Sequence, residues 1–243
     1  MFPELHTPKR AVLADAIPRL FSCHHYDAAP SLADWSVLSY LTGKWSHQDI
    51  RLRLVRVPEG FLSGGILRFG RITGTDTVCI LSGPSDPMHL IMAGSLGEAF
   101  VLECTALQFG TCWVTGSILR KPLPLDFLPG ETVFALIALG LPAEKLPPRH
   151  RKEISALCDG DFSSWPEPFQ RAARYVREAP SASNAQPYLM HADQNRFSID
   201  SSDRTRLDLG VALCHADLAL DMPHTWSFSS HPQQPMATCT RTM

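Results

Sequence analysis

Apolar and polar positions follow three rhythms along this chain. Residues 50–57, IRLRLVRV, alternate apolar and basic with period two, which predicts a half-exposed strand with its arginines on the wet face. Thr77 to Leu81, TVCIL, is a short apolar run that predicts a buried strand. Val133 to Leu139, VFALIAL, is unbroken and ends at Gly140 and Pro142, as expected of a central strand buried on both faces. Between the last two lies Gly94 to Gly116, GSLGEAFVLECTALQFGTCWVTG. Leu96, Ala99, Phe100, Leu102, Glu103 and Leu107 sit there at roughly helical spacing, so the stretch reads as a buried helix. Ser95, with Glu98 three residues on, suggests a capped start, and Gly110 a left-handed exit. Thr111 to Gly116 then reads as a tight turn. Its backbone could face a flat ligand, because Gly116 puts no side chain in the way.

The remaining elements are predicted the same way. Leu32 to Leu41 is helix-like, and Gly64, Gly65, Gly70 and Gly74 punctuate a loop and hairpin. Residues 141–168, with Pro142, Pro147, Pro148, Pro166 and Pro168, form a connection. Phe169 to Glu178 is a helix. Ala179 to Pro187, APSASNAQP, cannot continue it, and offers Ser181, Ser183, Asn184 and Gln186 as short donors and acceptors. Strands follow at YLMHAD and Phe197 to Ile199, then a helix from about Leu207. The residues after Trp226 are polar and proline-containing and read as a mobile or partner-draping tail.

One segment is echoed. Leu96 to Trp113, LGEAFVLECTALQFGTCW, aligns without a gap to Leu209 to Trp226, LGVALCHADLALDMPHTW, at a constant offset of 113. Six of the eighteen positions are identical, the glycines Gly97 and Gly210 and the tryptophans Trp113 and Trp226 among them. The period is too long for a solenoid and suggests two related halves packed about a pseudo-twofold axis. The halves are expected at 1–158 and 159–243.

Composition narrows the function. With 243 residues, 44% of them hydrophobic, the chain can bury a substantial core. A net charge of −2 gives no general field for nucleic acid, and no apolar run has the length of a membrane span. The amino-terminal stretch lacks the apolar core of a secretory signal. Seven scattered cysteines, none in a CxxC pair, read as reduced thiols of a cytoplasmic protein. Cys23-His24-His25 and Cys214-His215 are weak metal candidates without a second pair at zinc spacing. Arg149 and Arg151, two apart in PPRHRKEIS, would point the same way in an extended segment. They form either a guanidinium fork for a phosphate or a charged linker. Arg19, His24 and His25 could form a small anion-binding cluster or simply a solvated arm.

APSASNAQP after a helix, paired with the LG…FGTCWVTG helix and turn, resembles the FMN-dependent nitroreductase family. The two halves are similar to its single-chain branch, the TM nitroreductases, over roughly residues 17–228. The resemblance implies an α+β fold of central mixed sheets wrapped by helices, with FMN between the halves of a pseudo-dimeric monomer. Trp113, Val114, Thr115 and Gly116 would lie along the flavin edge. Pro180, Ser181 and Ala182 would reach the ring from the other half, with Asn184 bracing that loop. Arg149 and Arg151 match the family's late phosphate pair. Its early motif, Arg-Ser-x-Arg followed by an aromatic, is met by Phe21-Ser22-Cys23-His24-His25-Tyr26. Ser22 is kept, Phe21 and His24 replace the arginines, and Arg19 is the compensating cation. NAD(P)H would be the donor, and a small nitroaromatic or quinone the acceptor, in a ping-pong reaction with no catalytic side chain. The residues leave two alternatives open: flavin binding without turnover, and a degenerate fold that has lost FMN.

Overall fold

The computed structural model describes residues 7–62, 71–120, 122–143, 146–201, 206–229 and 236–242. Among them the chain forms α1 (Thr7–Ala16), β1 (Tyr26–Ala28), α2 (Leu32–Trp45), β2 (Arg51–Arg56), β3 (Thr77–Pro84), α3 (Pro87–Ala106) and β4 (Gly110–Val114). β5 (Glu131–Pro142), α4 (Glu167–Glu178), β6 (Leu189–Ala192), β7 (Arg196–Asp200), α5 (Arg206–Ala219), β8 (His224–Phe228) and β9 (Ala237–Arg241) follow. The α+β class expected from the sequence is the class observed.

The first sheet is built on β5, whose apolar run pairs with β3 along one edge and with β4 and β1 along the other. β2 completes it beyond β3, and the second sheet runs β6-β7-β9-β8. The pairings between named strands are antiparallel, so the expectation of mixed sheets is corrected. Parallel pairing is confined to isolated bridges such as Ser22 with Thr111. Connectivity accounts for one of these pairs: β6 returns into β7 through Asp193 to Asn195, without the helical crossover that parallel neighbours need.

The two sheets meet through α3 and α5, which pack against one another. α3 is buried around most of its circumference, from Ile91 to Thr105. That fits a helix covered by the first sheet on one side and by α5 on another. The helices cross at Gly94 and Gly210. A Cβ on Gly94 would stand 3.0 Å from Gly210 Cα, and one on Gly210 would stand 2.9 Å from Gly94 Cα. Only two glycines let the backbones come this close. The echoed Gly97 has a different use: a Cβ there would press on the Trp113 ring, 3.1 Å from its Cζ2.

Several local expectations are corrected. α3 begins eight residues before Ser95. Its N-cap is Asp86, whose carboxylate accepts from Met88 N and His89 N, with Pro87 opening the first turn. Ser95 and Glu98 are therefore mid-helix and buried. The left-handed exit is Gln108, with φ of 69°, and not Gly110, which opens β4. Thr111 to Val114 is a strand, so the tight turn shrinks to Thr115 and Gly116. The segment after Trp226 is no tail: β8 continues to Phe228, and β9 lies between β7 and β8 with Ala237 and Cys239 buried. The arginines of β2 are not merely wet, because Arg51 and Arg53 both pair with Glu131. Gly64, Gly65 and Gly70 lie outside the described residues.

Candidate functional site

β4 carries Trp113 and Val114 to the edge of the first sheet, and the chain then exposes Thr115 and Gly116. Gly116 has φ of +88°, and nothing lies within 4 Å of where its Cβ would stand. The glycine thus serves the backbone conformation and leaves open space beside it. Gly110 serves a different purpose. A Cβ there would stand 2.8 Å from Cys23 Sγ, so the glycine admits the arm that follows α1. Along that arm, Cys23 N donates to Thr111 O at 2.9 Å and Ser22 bridges to Thr111. His24 is half-buried, and its carbonyl accepts from Thr73 N at 3.0 Å. Arg19 is exposed, its Nε directed at Asp15 O.

Arg149 and Arg151 lace this arm to Glu178 and Asn184. Arg149 donates to Glu178 Oε2 at 2.9 Å and to the carbonyls of Ile17 and Leu20. Arg151 donates to Glu178 O at 2.8 Å and to Asn184 Oδ1. Asn184 returns a hydrogen bond to His150 O at 2.7 Å. Asn184 thus ties its loop to the 149–151 segment. Burial pulls the Arg151 guanidinium below the ordinary arginine pKa, with Glu178 opposing the drop and Arg149 adding to it. The two guanidiniums do not form an open fork, since most of their tips are spent on protein acceptors. Each nevertheless keeps a buried Nε without a partner among the described residues.

The Ala179–Pro187 loop is held in an unusual backbone. Ser183, Asn184 and Gln186 have φ of 59°, 52° and 45°. Left-handed non-glycine residues cost energy and persist where the surroundings over-determine them. Here the surroundings are explicit: Ser181 Oγ accepts from Gln186 N, Gln186 Oε1 from Lys152 N, and Asp208 Oδ1 from Ala182 N at 3.0 Å. Burial raises the Asp208 pKa above the usual carboxylate value, and the Ala182 N–H partly offsets it.

The sequence reading passed over a polar network beneath Trp113. Trp113 Nε1 donates to Glu98 Oε2 at 3.0 Å, and Glu98 Oε1 lies 2.7 Å from His215 Nε2. His215 Nδ1 is 3.1 Å from Tyr175 O. Glu98 and His215 side chains are both 0% exposed. The available signal was a charged residue among the apolar positions of α3 at Glu98, and a histidine inside the apolar run of α5. His215 is occupied by this network, so the Cys214-His215 metal candidate falls. No cluster of three potential metal ligands occurs among the described residues. None of the described helices is long and apolar enough to cross a membrane.

The structure thus links Ser22 to β4, Arg149 to the arm, Arg151 to Asn184, and Ala182 to α5. Arg19 stays outside these links. The chain matches the family described as Putative TM nitroreductase over residues 37–220. Among solved structures it is similar to "a putative nitroreductase" from Thermotoga maritima MSB8, with 22% identity, TM-score 0.69, and coverage of 94% of this chain and 93% of that one. It also matches "a putative nitroreductase in complex with fmn" from Desulfovibrio desulfuricans, with 20% identity, TM-score 0.49, and coverage of 62% and 97%. No curated protein matches.

Proposed function

This chain belongs to the Putative TM nitroreductase family, and from that premise we propose that it is an FMN-dependent oxidoreductase. NAD(P)H is the donor, and a small nitroaromatic or quinone is the acceptor. When bound, a flavin supplies hydride chemistry that none of the twenty side chains offers. The protein's work is then to bind, orient and shield. Backbone groups from Trp113 to Gly116 suit the ring edge, because they are rigid and uncharged. Pro180, Ser181 and Ala182 cover the ring from the second half, and Asn184 braces their loop. Ser22, His24, Arg19, Arg149 and Arg151 serve the phosphate. One face stays open and takes the two substrates in turn, which gives ping-pong kinetics.

The observation that carries this reading is the convergence of separate segments. The arm at 17–24, the arginines at 149 and 151, and the loop at 178–186 are tied to one another by hydrogen bonds. Open space adjoins Gly116, and two buried guanidinium N–H groups remain unspent. These features fit a flat ring with an anionic tail. In this reading the halves at 1–158 and 159–243 form a pseudo-dimer within a monomer. The seven free, buried thiols suit a reducing cytoplasm.

A second reading is favoured by one feature: the tips of Arg149 and Arg151 are largely committed to Glu178, Asn184 and carbonyls. A chain that had lost FMN would leave them so. Visible absorption of the protein reconstituted with FMN separates the two. A bound flavin spectrum bleached by NAD(P)H is expected. A chain that stays colourless refutes flavin binding, and a bound flavin that no nicotinamide bleaches refutes turnover.

A further inference from the structure

We infer that Glu98, itself held by His215 from across the seam between the two halves, fixes the Trp113 indole at the candidate site, so that both are positioning residues. The claim about what the indole serves rests on the flavin reading; the positioning itself does not.

Four elements contribute to the arrangement. Gly97 of α3 leaves a slot in which the indole lies, closed on another side by Leu81, whose Cδ2 would be 3.1 Å from a Cβ at Gly97. Glu98, the next residue of α3, accepts the indole N–H at 3.0 Å. His215 of α5 holds the other carboxylate oxygen at 2.7 Å. Tyr175 of α4 holds the imidazole through its carbonyl at 3.1 Å.

The donors and acceptors can be assigned. A carbonyl only accepts, so His215 Nδ1 carries a hydrogen and points it at Tyr175 O. The short contact between Nε2 and Glu98 Oε1 then holds one proton, on either atom. Glu98 Oε2 is left free to accept from Trp113. Every polar atom of both fully buried side chains is thereby spent, in one orientation only. An acid and an imidazole are costly to desolvate, and a hydrophobic pair would cover the same seam more cheaply. What the hydrophobic pair could not do is direct the indole N–H.

The repeat supplies an internal parallel. Trp226 occupies the echoed position and also donates its indole N–H to a carboxylate, Asp217 Oδ1, at 3.2 Å. Asp217 is held by Arg10 and by His224, which lies two residues from Trp226. No residue of α3 or β4 takes part in that set. Arg10 reaches Asp217 from α1 as His215 reaches Glu98 from α5, so each indole's carboxylate is held from the opposite half, and of the two indoles it is Trp113 that precedes Thr115 and Gly116.

Two measurements on the full chain test this. In ¹⁵N-labelled apoprotein, the Trp113 indole N–H signal is assigned by its loss in W113F. Its hydrogen exchange should be slow in wild type and at least about tenfold faster in E98L and H215L. E98Q should keep the protection, since its amide can accept from the indole and donate to His215 Nε2. FMN titration supplies the second readout. E98L should weaken binding at least about tenfold, E98Q by less than about threefold, and W226F not at all. If Glu98 acts through Trp113, the double variant E98L/W113F binds no more weakly than the weaker single variant. Independent, multiplying losses would overturn the inference, as would an indole that stays protected in E98L. Should H215L fail to fold, E98Q, E98L and W113F still decide it. A wild type that binds no FMN while its indole responds as described refutes the flavin reading and leaves the positioning standing.

Discussion

Replacing Gly94 with alanine tests the seam on which the site is built. By helix propensity alone the change should help, since alanine is favoured over glycine by about 1 kcal/mol in a helix interior. The crossing reverses the sign. A Cβ at Gly94 would stand 3.0 Å from both Gly210 Cα and Val211 N, and closer still to the Leu207 carbonyl oxygen. All three are backbone atoms, so no rotamer change relieves the clash. Apolar carbons settle at about 3.5–4.0 Å, so α3 and α5 must separate by roughly 0.5 Å or more. Overpacking of this kind costs about 1–3 kcal/mol. With backbone on both sides the upper end applies, and the net destabilisation is about 2 kcal/mol. At roughly 2–4 °C per kcal/mol for a chain of this size, Tm should fall by about 4–8 °C. Gly43, inside α2, is the control. It has nothing within 4 Å of its missing Cβ, so Gly43→Ala should raise Tm by about 2–4 °C. Scanning calorimetry with urea unfolding reads both. A Gly94→Ala protein as stable as Gly43→Ala would refute the tight crossing.

Three further outcomes are expected. His224→Gln should cost on the order of 1 kcal/mol at about pH 5.5 and much less at about pH 9, read by urea unfolding at each pH. Burial alone would lower the His224 pKa, but its hydrogen bonds to Asp217 and Met222 O outweigh that and raise it. Its contribution is thus full below the unfolded value of about 6.5 and fades as pH rises through the folded value. Asp217 is shifted the other way: burial would raise it, but His224 and Arg10 hold it low, so its share is lost only as pH falls through that lowered value. Gly116→Leu should weaken FMN binding at least about tenfold in a titration, yet lower Tm by no more than a few degrees, since positive φ costs about 1–2 kcal/mol and no neighbour is struck; unchanged flavin affinity would count against a ring at this edge. Reconstituted protein should hold one flavin per chain, because Thr225 to Phe228 lacks a closing glycine and Leu41 to Lys44 has no APSASN equivalent; absorbance against protein concentration near two per chain would refute the single composite site.

Elements with a one-dimensional signature were legible in the sequence. β5 announced itself as an unbroken apolar run, β2 by alternation, and α4 by amphipathic spacing before a proline. α3 misled at its start because a helix buried all round has no polar face to show where it begins. Its true signal was Asp86-Pro87, a capping carboxylate followed by a residue suited to the first turn. β9 was missed because ATCTR, with Ala237 and Cys239 inward, is too short and polar to display a period. Its burial comes from lying between β7 and β8, which is a property of the sheet and not of the segment.

The candidate site divides along the same line. Its segments could be found locally, because glycines, prolines and short polar residues punctuate the sequence. The pairings within it could not, since Arg149 meets Ile17 across 132 positions and Glu98 meets His215 across 117. The α3–α5 contact therefore does more than cover apolar faces. The arm at 17–24 is held by Arg149, and Arg151 beside it holds the Ala179–Pro187 loop. The carboxylate that holds the Trp113 indole is itself held by His215 of α5. A change that opens the α3–α5 crossing must disturb these links together, so seam stability and ligand affinity should fall in step. A change confined to β8, where Trp226 is held without α3 or β4, should lower stability alone.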